Sequence, residues 1–102
     1  MNEIKFSGLL GLCRKAGRLS VGHDAAKDSI RNKKASLCIL AQNASQRLED
    51  EFNGLCGENI PVLKTPFTVE QFEKIIGLKA AVITVDDEGF TKKLMIYRED
   101  NV

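Results

Sequence analysis

The chain has 102 residues, of which 43% are hydrophobic and 28% charged, with eight glycines and two prolines. A chain of this length closes one core, so we predict a single domain over residues 1–102. The ordinary apolar share excludes low-complexity disorder, and no stretch approaches the roughly 18 uncharged apolar residues of a transmembrane helix. No leader-like segment opens the chain, and we therefore expect a cytoplasmic protein with no membrane partner.

The net charge of +1 conceals an asymmetry between two parts of the chain. Residues 1–47 hold nine Lys/Arg and three Asp/Glu, a net charge of +6. Residues 48–102 hold six Lys/Arg and eleven Asp/Glu, a net charge of −5. Such an asymmetry indicates a surface that faces a polyanion. Because folding can interleave the two parts, the charge alone leaves the partner open.

In the first half of the chain, the spacing of apolar residues predicts helices that alternate with strands. The first helix shows the spacing i, i+3, i+4, i+7 of one apolar face at Phe6, Leu9, Leu10 and Cys13. Gly17 is expected to end it. A brief extended segment at 19–21 precedes a second helix over 23–34, and the apolar run 35–41 predicts a buried strand.

The second half continues the alternation. Its predicted elements are, in order, a helix capped by Ser45 and ended by Gly57, a strand at 60–63, a helix that starts with the capping box Thr68–Gln71 and ends at Gly77, a strand at 80–85, and a closing helix after the turn 86–89. Short strands that need cover on both faces predict the α/β class, as a three-layer α/β/α sandwich with a small, mostly parallel or mixed sheet. The predicted core is Leu9, Leu10, Cys13, Ile30, Leu37, Ile39, Leu48, Phe52, Val62, Phe72, Ile76, Val82, Val85 and Leu94.

The second predicted helix carries the candidate anion-binding residues. Lys27, Arg31 and Lys34 lie within roughly 60° of one another on an ideal helix, which makes one basic stripe. Gly22 precedes this helix, whose N-terminal N–H groups suit a phosphate, and Arg18 would add charge just before it. The alternative is a solvated face with local ion pairs, since acidic residues stand three positions before Lys27 and Arg31.

Enzyme and metal interpretations find less support. The segment 17–22 has the two glycines of a phosphate loop, but the lysine and hydroxyl that a nucleotide site needs are missing after it. Three cysteines at wide spacing in apolar runs argue against disulfides and zinc, so we expect no cofactor and no metal. A nucleophilic Cys13 or Cys38 would need an exposed, electropositive setting. The acidic residues 86–88 suit a solvated turn that caps the last helix better than a hard cation.

Several stretches together carry a resemblance to a known family. They are Leu9-Leu10-Gly11-Leu12-Cys13-Arg14-Lys15-Ala16-Gly17-Arg18-Leu19, then Gly22, Ile30-Arg31-Asn32, Ala35-Ser36-Leu37-Cys38-Ile39-Leu40-Ala41-Gln42-Asn43-Ala44-Ser45, Ile60-Pro61-Val62, Ile75-Ile76-Gly77 and residues 86–90. In this order they resemble the bacterial YlxQ-like branch of the kink-turn-binding ribosomal protein superfamily, which includes the large-subunit proteins called seven-Ae and thirty-e. The similarity covers nearly the whole chain.

The resemblance implies an α/β/α sandwich, the fold that the periodicity predicts independently. It also implies binding of kink-turn RNA, an internal loop in which tandem sheared G·A pairs sharply bend two helical stems. The family's contact surface corresponds here to residues 22–27 and to the loop 77–80 with Leu78, Lys79 and Ala80. Structured RNA, ribosomal RNA included, is therefore the expected partner of a monomer that can associate with the ribosome or a translation factor.

The chain departs from the family's RNA-reading signature, Gly-x-Asn-Glu-x-x-Lys. In an ungapped match through Gly22, the positions of Asn, Glu and Lys are held by Asp24, Ala25 and Asp28. With a gap of one residue they are held by His23, Asp24 and Lys27. We favour Lys27 as the phosphate contact because of its charge, and both alignments stay open.

The leading hypothesis is a non-enzymatic RNA-binding protein that recognises a kink-turn or similarly bent RNA. The alternative is a protein-interaction module of a translation-linked or ribosome-associated assembly with weakened RNA specificity. The missing Asn-Glu-Lys combination favours this alternative, as does the acidic second half, which suits a basic partner. The sequence leaves open whether residues 22–27 and the loop 77–80 are neighbours in space.

Overall fold

A computed structural model describes residues 1–100. Along this part of the chain the elements are α1 Glu3–Lys15, β1 Leu19–Val21, α2 His23–Arg31, β2 Leu37–Leu40, α3 Gln46–Cys56, β3 Val62–Lys64, α4 Val69–Ile76, β4 Val82–Val85 and α5 Glu88–Glu99. Every predicted helix and strand is present, with shifted ends. The predicted caps at Ser45 and Thr68 are confirmed, and Thr68 forms the full capping box with Gln71.

The four strands form one mixed sheet in the order β1-β4-β2-β3. β4 is antiparallel to both of its neighbours, and only β2 and β3 are parallel. The prediction of a mixed sheet is thus confirmed, and the mostly parallel alternative is wrong. The reason is that α4 and the loop after it return the chain to the side of the sheet at which β3 ends. β4 starts there and therefore runs antiparallel to β2.

The ends of the strands form two opposite sides of the sheet, which we call edges. At one edge β1, β2 and β3 end and β4 begins, and we call it the Gly22 edge because Gly22 follows β1 there. At the other edge β1, β2 and β3 begin and β4 ends, and we call it the Asp86 edge. The two edges are about 13 Å apart, the length of four residues of strand.

Helices cover both faces of the sheet. Leu37 and Ile39 of β2 point into a cluster with residues of α1, α4 and α5, whereas Cys38 and Leu40 pack with residues of α2 and α3. The alternation follows from the two-residue period of a strand. The predicted three-layer sandwich is therefore confirmed.

The predicted core residues are all buried except Leu48 and Val62, which are half-buried on α3 and on the outer strand β3. The prediction also missed several fully or nearly fully buried residues: Phe6, Cys38, Leu40, Phe67 and Ile83. β2 and β4 are the central strands, and all four residues of each are buried because both faces are covered.

α2 ends at Arg31, three residues earlier than predicted. Lys33 adopts a left-handed conformation with φ 59°, its N–H donates to Ile30 O, and the N–H of Lys34 donates to Ser29 O. These two bonds form a Schellman motif, which normally has glycine at the left-handed position. With lysine there, the stop signal is absent from the sequence, and Lys34 leaves the helix.

Candidate nucleic-acid interface

Gly22 forms the junction between β1 and α2. Its φ of 96° and ψ of 169° are available to glycine almost alone, and its N–H donates to Val82 O at 2.9 Å. α2 begins there without a side-chain cap, whereas α3 and α4 are capped by Ser45 and Thr68. The first N–H groups of α2 are therefore open to an external acceptor, and the helix dipole favours an anion there.

The loop 77–81 lies beside this helix start. Gly22 bonds to Val82, the first residue of β4 and the one directly after the loop, and the N–H of Ala41 donates to Ala81 O at 2.9 Å from the other side. Leu78 is 41% exposed and Lys79 is exposed, whereas Ala80 is buried at 7%. The structure thus brings the two predicted contact segments together at the Gly22 edge, which the sequence had left open.

An ionic cluster joins α2 to α3 at this edge. His23 Nε2 lies 2.8 Å from Glu51 Oε1, and Lys27 Nζ lies 3.7 Å from Glu51 Oε2. The hydrogen bond to Glu51, aided by a weaker one to Asp24, raises the pKa of His23. The same contact lowers the pKa of Glu51. Glu51 therefore already neutralises the cationic groups that the sequence offers to a phosphate.

α2 has a second, outward face without cations in its first two turns. Asp24, Ala25 and Asp28 are exposed there, and the side chain of Asp24 is fully so. The local pairs Asp24–Lys27 and Asp28–Arg31 do not form within residues 1–100, since Lys27 pairs with Glu51 instead. The local ion pairs of the solvated-face alternative are thus absent from the described part of the chain, and Lys27 pairs with a residue of α3.

Three predicted site residues do not lie at the Gly22 edge. Arg18 precedes β1, and its backbone O accepts from the N–H of Asp86 at 2.8 Å, so it lies at the Asp86 edge. Arg31 ends α2 and Lys34 follows the Schellman turn, also away from Gly22. The predicted basic stripe therefore loses Lys34, while Lys27 and Arg31 remain on one face of α2 and Arg31 lies at its far end. The addition of charge by Arg18 next to Gly22 is wrong as well, because β1 separates the two.

The charge at the Gly22 edge is accordingly mixed. Exposed or half-exposed cations are Lys27, Arg47, Lys64 and Lys79, and the acidic residues around them are Asp24, Glu49, Glu51 and Glu70. Most of the positive charge of residues 1–47 lies elsewhere, at the ends of α1 and α2. Affinity for phosphates at this edge would thus depend on the helix start and a few cations.

Asp86 has a structural role that the sequence did not indicate. Its carboxylate accepts hydrogen bonds from Ser20 Oγ at 2.5 Å, Ser29 Oγ at 2.6 Å and Thr84 Oγ1 at 3.0 Å. It is half-buried and connects β1, α2 and β4. The prediction of a solvated turn is wrong for Asp86 and holds for Asp87, whose side chain caps α5.

The described residues offer little support for thiol catalysis or metal binding. All three thiols are buried. Burial raises the pKa of Cys13 to about 11, and a hydrogen bond with Cys56, together with burial, raises the pKa of Cys38. Cys13 and Cys38 thus lack the exposed, electropositive setting of a nucleophilic thiol. Within residues 1–100 no cluster of three His, Cys, Asp or Glu side chains is arranged to hold a metal ion. In the same range no helix has the length and apolar character needed to cross a bilayer.

The fold and this edge define a class of small α/β/α proteins in which a helix start and a neighbouring loop are presented together by a mixed sheet. The family model described as "Ribosomal protein L7Ae/L30e/S12e/Gadd45 family" matches residues 5–95. The chain belongs to this family, which confirms the resemblance found in the sequence.

Two curated relatives cover almost the whole chain. "RNA-binding protein YlxQ" of Enterococcus faecium is 29% identical over 93 residues, which are 90% of this chain and 89% of that protein. "RNA-binding protein YlxQ" of Bacillus subtilis (strain 168) is 27% identical over 100 residues, covering 93% and 96% of the two chains.

Solved structures show the same fold. A protein of unknown function from Bacillus halodurans C superposes with a TM-score of 0.87 at 28% identity and covers 94% of this chain and 98% of its own. The Giardia lamblia 15.5kD RNA binding protein superposes with a TM-score of 0.74 at 13% identity, over 93% of this chain and 82% of its own. At that identity the second likeness speaks for the fold alone.

Proposed function

We propose that this protein binds structured RNA at the Gly22 edge, recognises a kink-turn or a similarly bent RNA, and does not catalyse a reaction. Membership of the L7Ae/L30e family and the names of the two relatives support RNA as the partner. The observation that carries the proposal is the hydrogen bond from Gly22 to Val82, because it holds the helix start next to the residue that directly follows the loop 77–81. Ribosomal RNA in the cytoplasm, bound by a monomer, is the simplest setting.

The two parts of the surface suit two parts of a bent RNA. The uncapped start of α2 offers N–H groups and a positive dipole end to backbone phosphates that a bend brings together. Leu78 in the neighbouring loop is an exposed apolar side chain that can pack against a base displaced from a stem, and Lys79 adds a cation. Since the Gly22 edge has mixed charge, the fit to the shape of the RNA has to contribute more to recognition than the net charge of the surface does.

A kink-turn RNA is expected to bind at least about tenfold more tightly than a control RNA whose tandem G·A pairs are replaced by Watson–Crick pairs. The reason is that only the bent RNA presents phosphates to α2 and an unstacked base to the loop at once. Titrations at about 100 mM salt, where phosphate contacts still contribute, measure this ratio. Equal affinity for the two RNAs would contradict kink-turn recognition, and no binding to either would contradict the whole proposal.

Replacing Glu51 with glutamine is expected to strengthen binding of the kink-turn RNA about three- to tenfold. The carboxylate that now competes with phosphate for Lys27 and His23 would be gone. One further phosphate contact would steepen the dependence of log Kd on log salt concentration by about 0.7 to 0.9. The measurement is a series of titrations between about 50 and 200 mM salt.

A second readout shows that the Glu51→Gln exchange had its intended local effect. His23 is the single histidine of the chain, so an NMR titration of its ring reports one group. Its pKa should fall toward the ordinary value once the contact that chiefly raises it is removed. Glu3→Gln, an exposed acid on α1, makes the same charge change on the opposite face of the sheet from Glu51 and should leave RNA affinity unchanged. A lowered His23 pKa with unchanged RNA affinity would show that Lys27 and His23 do not meet phosphate.

One observation favours the second candidate function, a protein-interaction module of a ribosome-associated or translation-linked assembly. Ile4 and Leu12 of α1 are 85% and 57% exposed, and they line one shallow groove with Gly8, Gly11 and Ile75. Exposed apolar residues that lie together are typical of protein contacts. Partners recovered with the protein that survive ribonuclease treatment would favour this function, and their complete loss would favour RNA.

A further inference from the structure

Three of the cations predicted to contact RNA, namely Arg18, Arg31 and Lys34, lie at the Asp86 edge instead, together with Lys33. Arg18, Arg31, Lys33 and Lys34 are all exposed there, and we call these four residues the distal basic surface. Within residues 1–100, the one acidic side chain within 4.0 Å of any of them is Asp87, 3.9 Å from Arg18. Arg31 complements the dipole at the end of α2, but Lys33 and Lys34 lie beyond the helix.

A recess of about 440 Å³ opens between the C-terminal ends of α2 and α3. Its apolar wall is formed by Ile30, Ala35, Leu55, Cys56 and Ile60. Arg31, Lys33 and the amide of Asn59 supply the polar groups. The volume lies in the range of small-molecule sites, and the lining combines an apolar surface with cations and one group able to both donate and accept.

A second recess of about 460 Å³ continues the surface on the other side of the Schellman turn. Arg18, Ser20, Lys34 and Asp86 line it. Asp86 carries a negative charge there, but its oxygens accept from three hydroxyl groups, and within residues 1–100 it forms no ion pair with a cation. The left-handed turn at Lys33 thus places Lys33 at the first recess and Lys34 at the second.

We propose that the distal basic surface is a second nucleic-acid site, which takes a single-stranded RNA segment. One unstacked base would lie against the apolar wall near Asn59, and the flanking phosphates would contact Arg31, Lys33 and Lys34. A nucleotide unites a flat apolar-faced ring with an adjacent anion, which is the combination that this surface offers. An acidic peptide supplies the anions without the ring. Among the described residues that line the recess none is aromatic, so we expect weak, salt-dependent binding.

This site is separate from the Gly22 edge and goes beyond the proposed function. The two lie at opposite edges of the sheet, about 13 Å apart along the strands. A bent RNA held at the Gly22 edge could therefore extend a single-stranded flank around α2 to the distal basic surface. That arrangement assigns a phosphate-binding role to two of the predicted residues that the Gly22 edge does not use, namely Arg31 and Lys34.

The test is an NMR titration of the uniformly ¹⁵N-labelled protein with hexauridine, an RNA too short to fold. We expect the backbone amides of residues 31–36 and 59–60 to shift, with a Kd of about 10–100 µM at low salt. The double variant Arg31→Gln/Lys34→Gln should weaken this binding at least about fivefold and reduce the salt slope by about 1.4, two contacts at about 0.7 each. Lys5→Gln/Lys93→Gln removes two exposed lysines of α1 and α5 and should change neither.

Each outcome decides the proposal. Shifts confined to residues 22–27 and 77–81, or an equal loss in the control variant, would overturn it while leaving the proposed function intact. Equal binding of hexaglutamate to the same amides would also overturn it, because the surface would then be a generic site for acidic chains. Failure of the proposed function has a different signature: shifts persist at residues 31–36, but the kink-turn RNA and its control bind equally.

Discussion

Replacing Asp86 with alanine is expected to lower the free energy of unfolding by about 3–5 kcal/mol. The exchange leaves three hydroxyl groups without their acceptor, and two of them, on Ser29 and Thr84, are only 4% and 0% exposed. A buried polar group without a partner costs about 1–3 kcal/mol. The half-exposed hydroxyl of Ser20 can turn to water and should add little. For a domain of this size the loss is a large fraction of the total stability.

Urea denaturation monitored by circular dichroism measures this loss, and a neighbouring residue provides the control. Asp87→Ala removes the side-chain cap of α5 and should cost about 1 kcal/mol. The free energy of unfolding of Asp86→Asn should lie between those of wild type and Asp86→Ala. An amide oxygen still accepts hydrogen bonds, but the negative charge is gone. If Asp86→Ala cost no more than Asp87→Ala, the three hydrogen bonds would contribute little, and the connection of β1, α2 and β4 would rest on apolar packing.

The role of Asp86 shows where sequence patterns fail. Its hydroxyl partners Ser20, Ser29 and Thr84 stand 66, 57 and two residues away, so no local spacing relates the first two to it. In the sequence, Asp86 stands next to two more acids before a helix, which is typical of a solvated turn. The antiparallel pairing of β1 with β4 and the packing of α2 create the network, and both are tertiary features.

Elements whose signals are local were predicted well. The caps at Ser45 and Thr68 and the stop at Gly77 depend on residues within one turn, and all three are where the sequence placed them. The end of α2 was missed because Lys33 takes the left-handed position that glycine normally marks. That single residue moved Lys34 off the helix and out of the predicted basic stripe.

The candidate site was predictable in its parts but not as a whole. The resemblance identified Gly22 and the loop 77–80 separately, and their contact depends on β1 pairing with β4 rather than with β2. Glu51, which pairs with His23 and Lys27, lies on another helix, 28 residues beyond His23. A charge count along the chain cannot reveal such a partner, so it overestimated the positive charge at this edge.

Replacing Gly22 with alanine is expected to impair both folding and RNA binding. At φ 96° and ψ 169° a residue with a Cβ atom is strained by about 1–3 kcal/mol, although the space around the added atom is open. Relief of that strain would rotate the entry of α2 and misdirect the N–H groups that face the ligand. We expect a loss of about 1–3 kcal/mol in unfolding free energy and at least about a tenfold loss in affinity for the kink-turn RNA.

Gly54 supplies the matched control, because a Cβ atom there also meets open space but the residue lies inside α3. Gly54→Ala should stabilise the protein by up to about 1 kcal/mol and leave RNA affinity unchanged. Urea denaturation and RNA titration of both variants separate backbone strain from the loss of a glycine as such. Since both substitutions add the same methyl group, opposite signs in stability can come only from the backbone conformation. A Gly22→Ala variant as stable as wild type, with full RNA affinity, would show that the junction before α2 adapts and that its geometry does not determine binding.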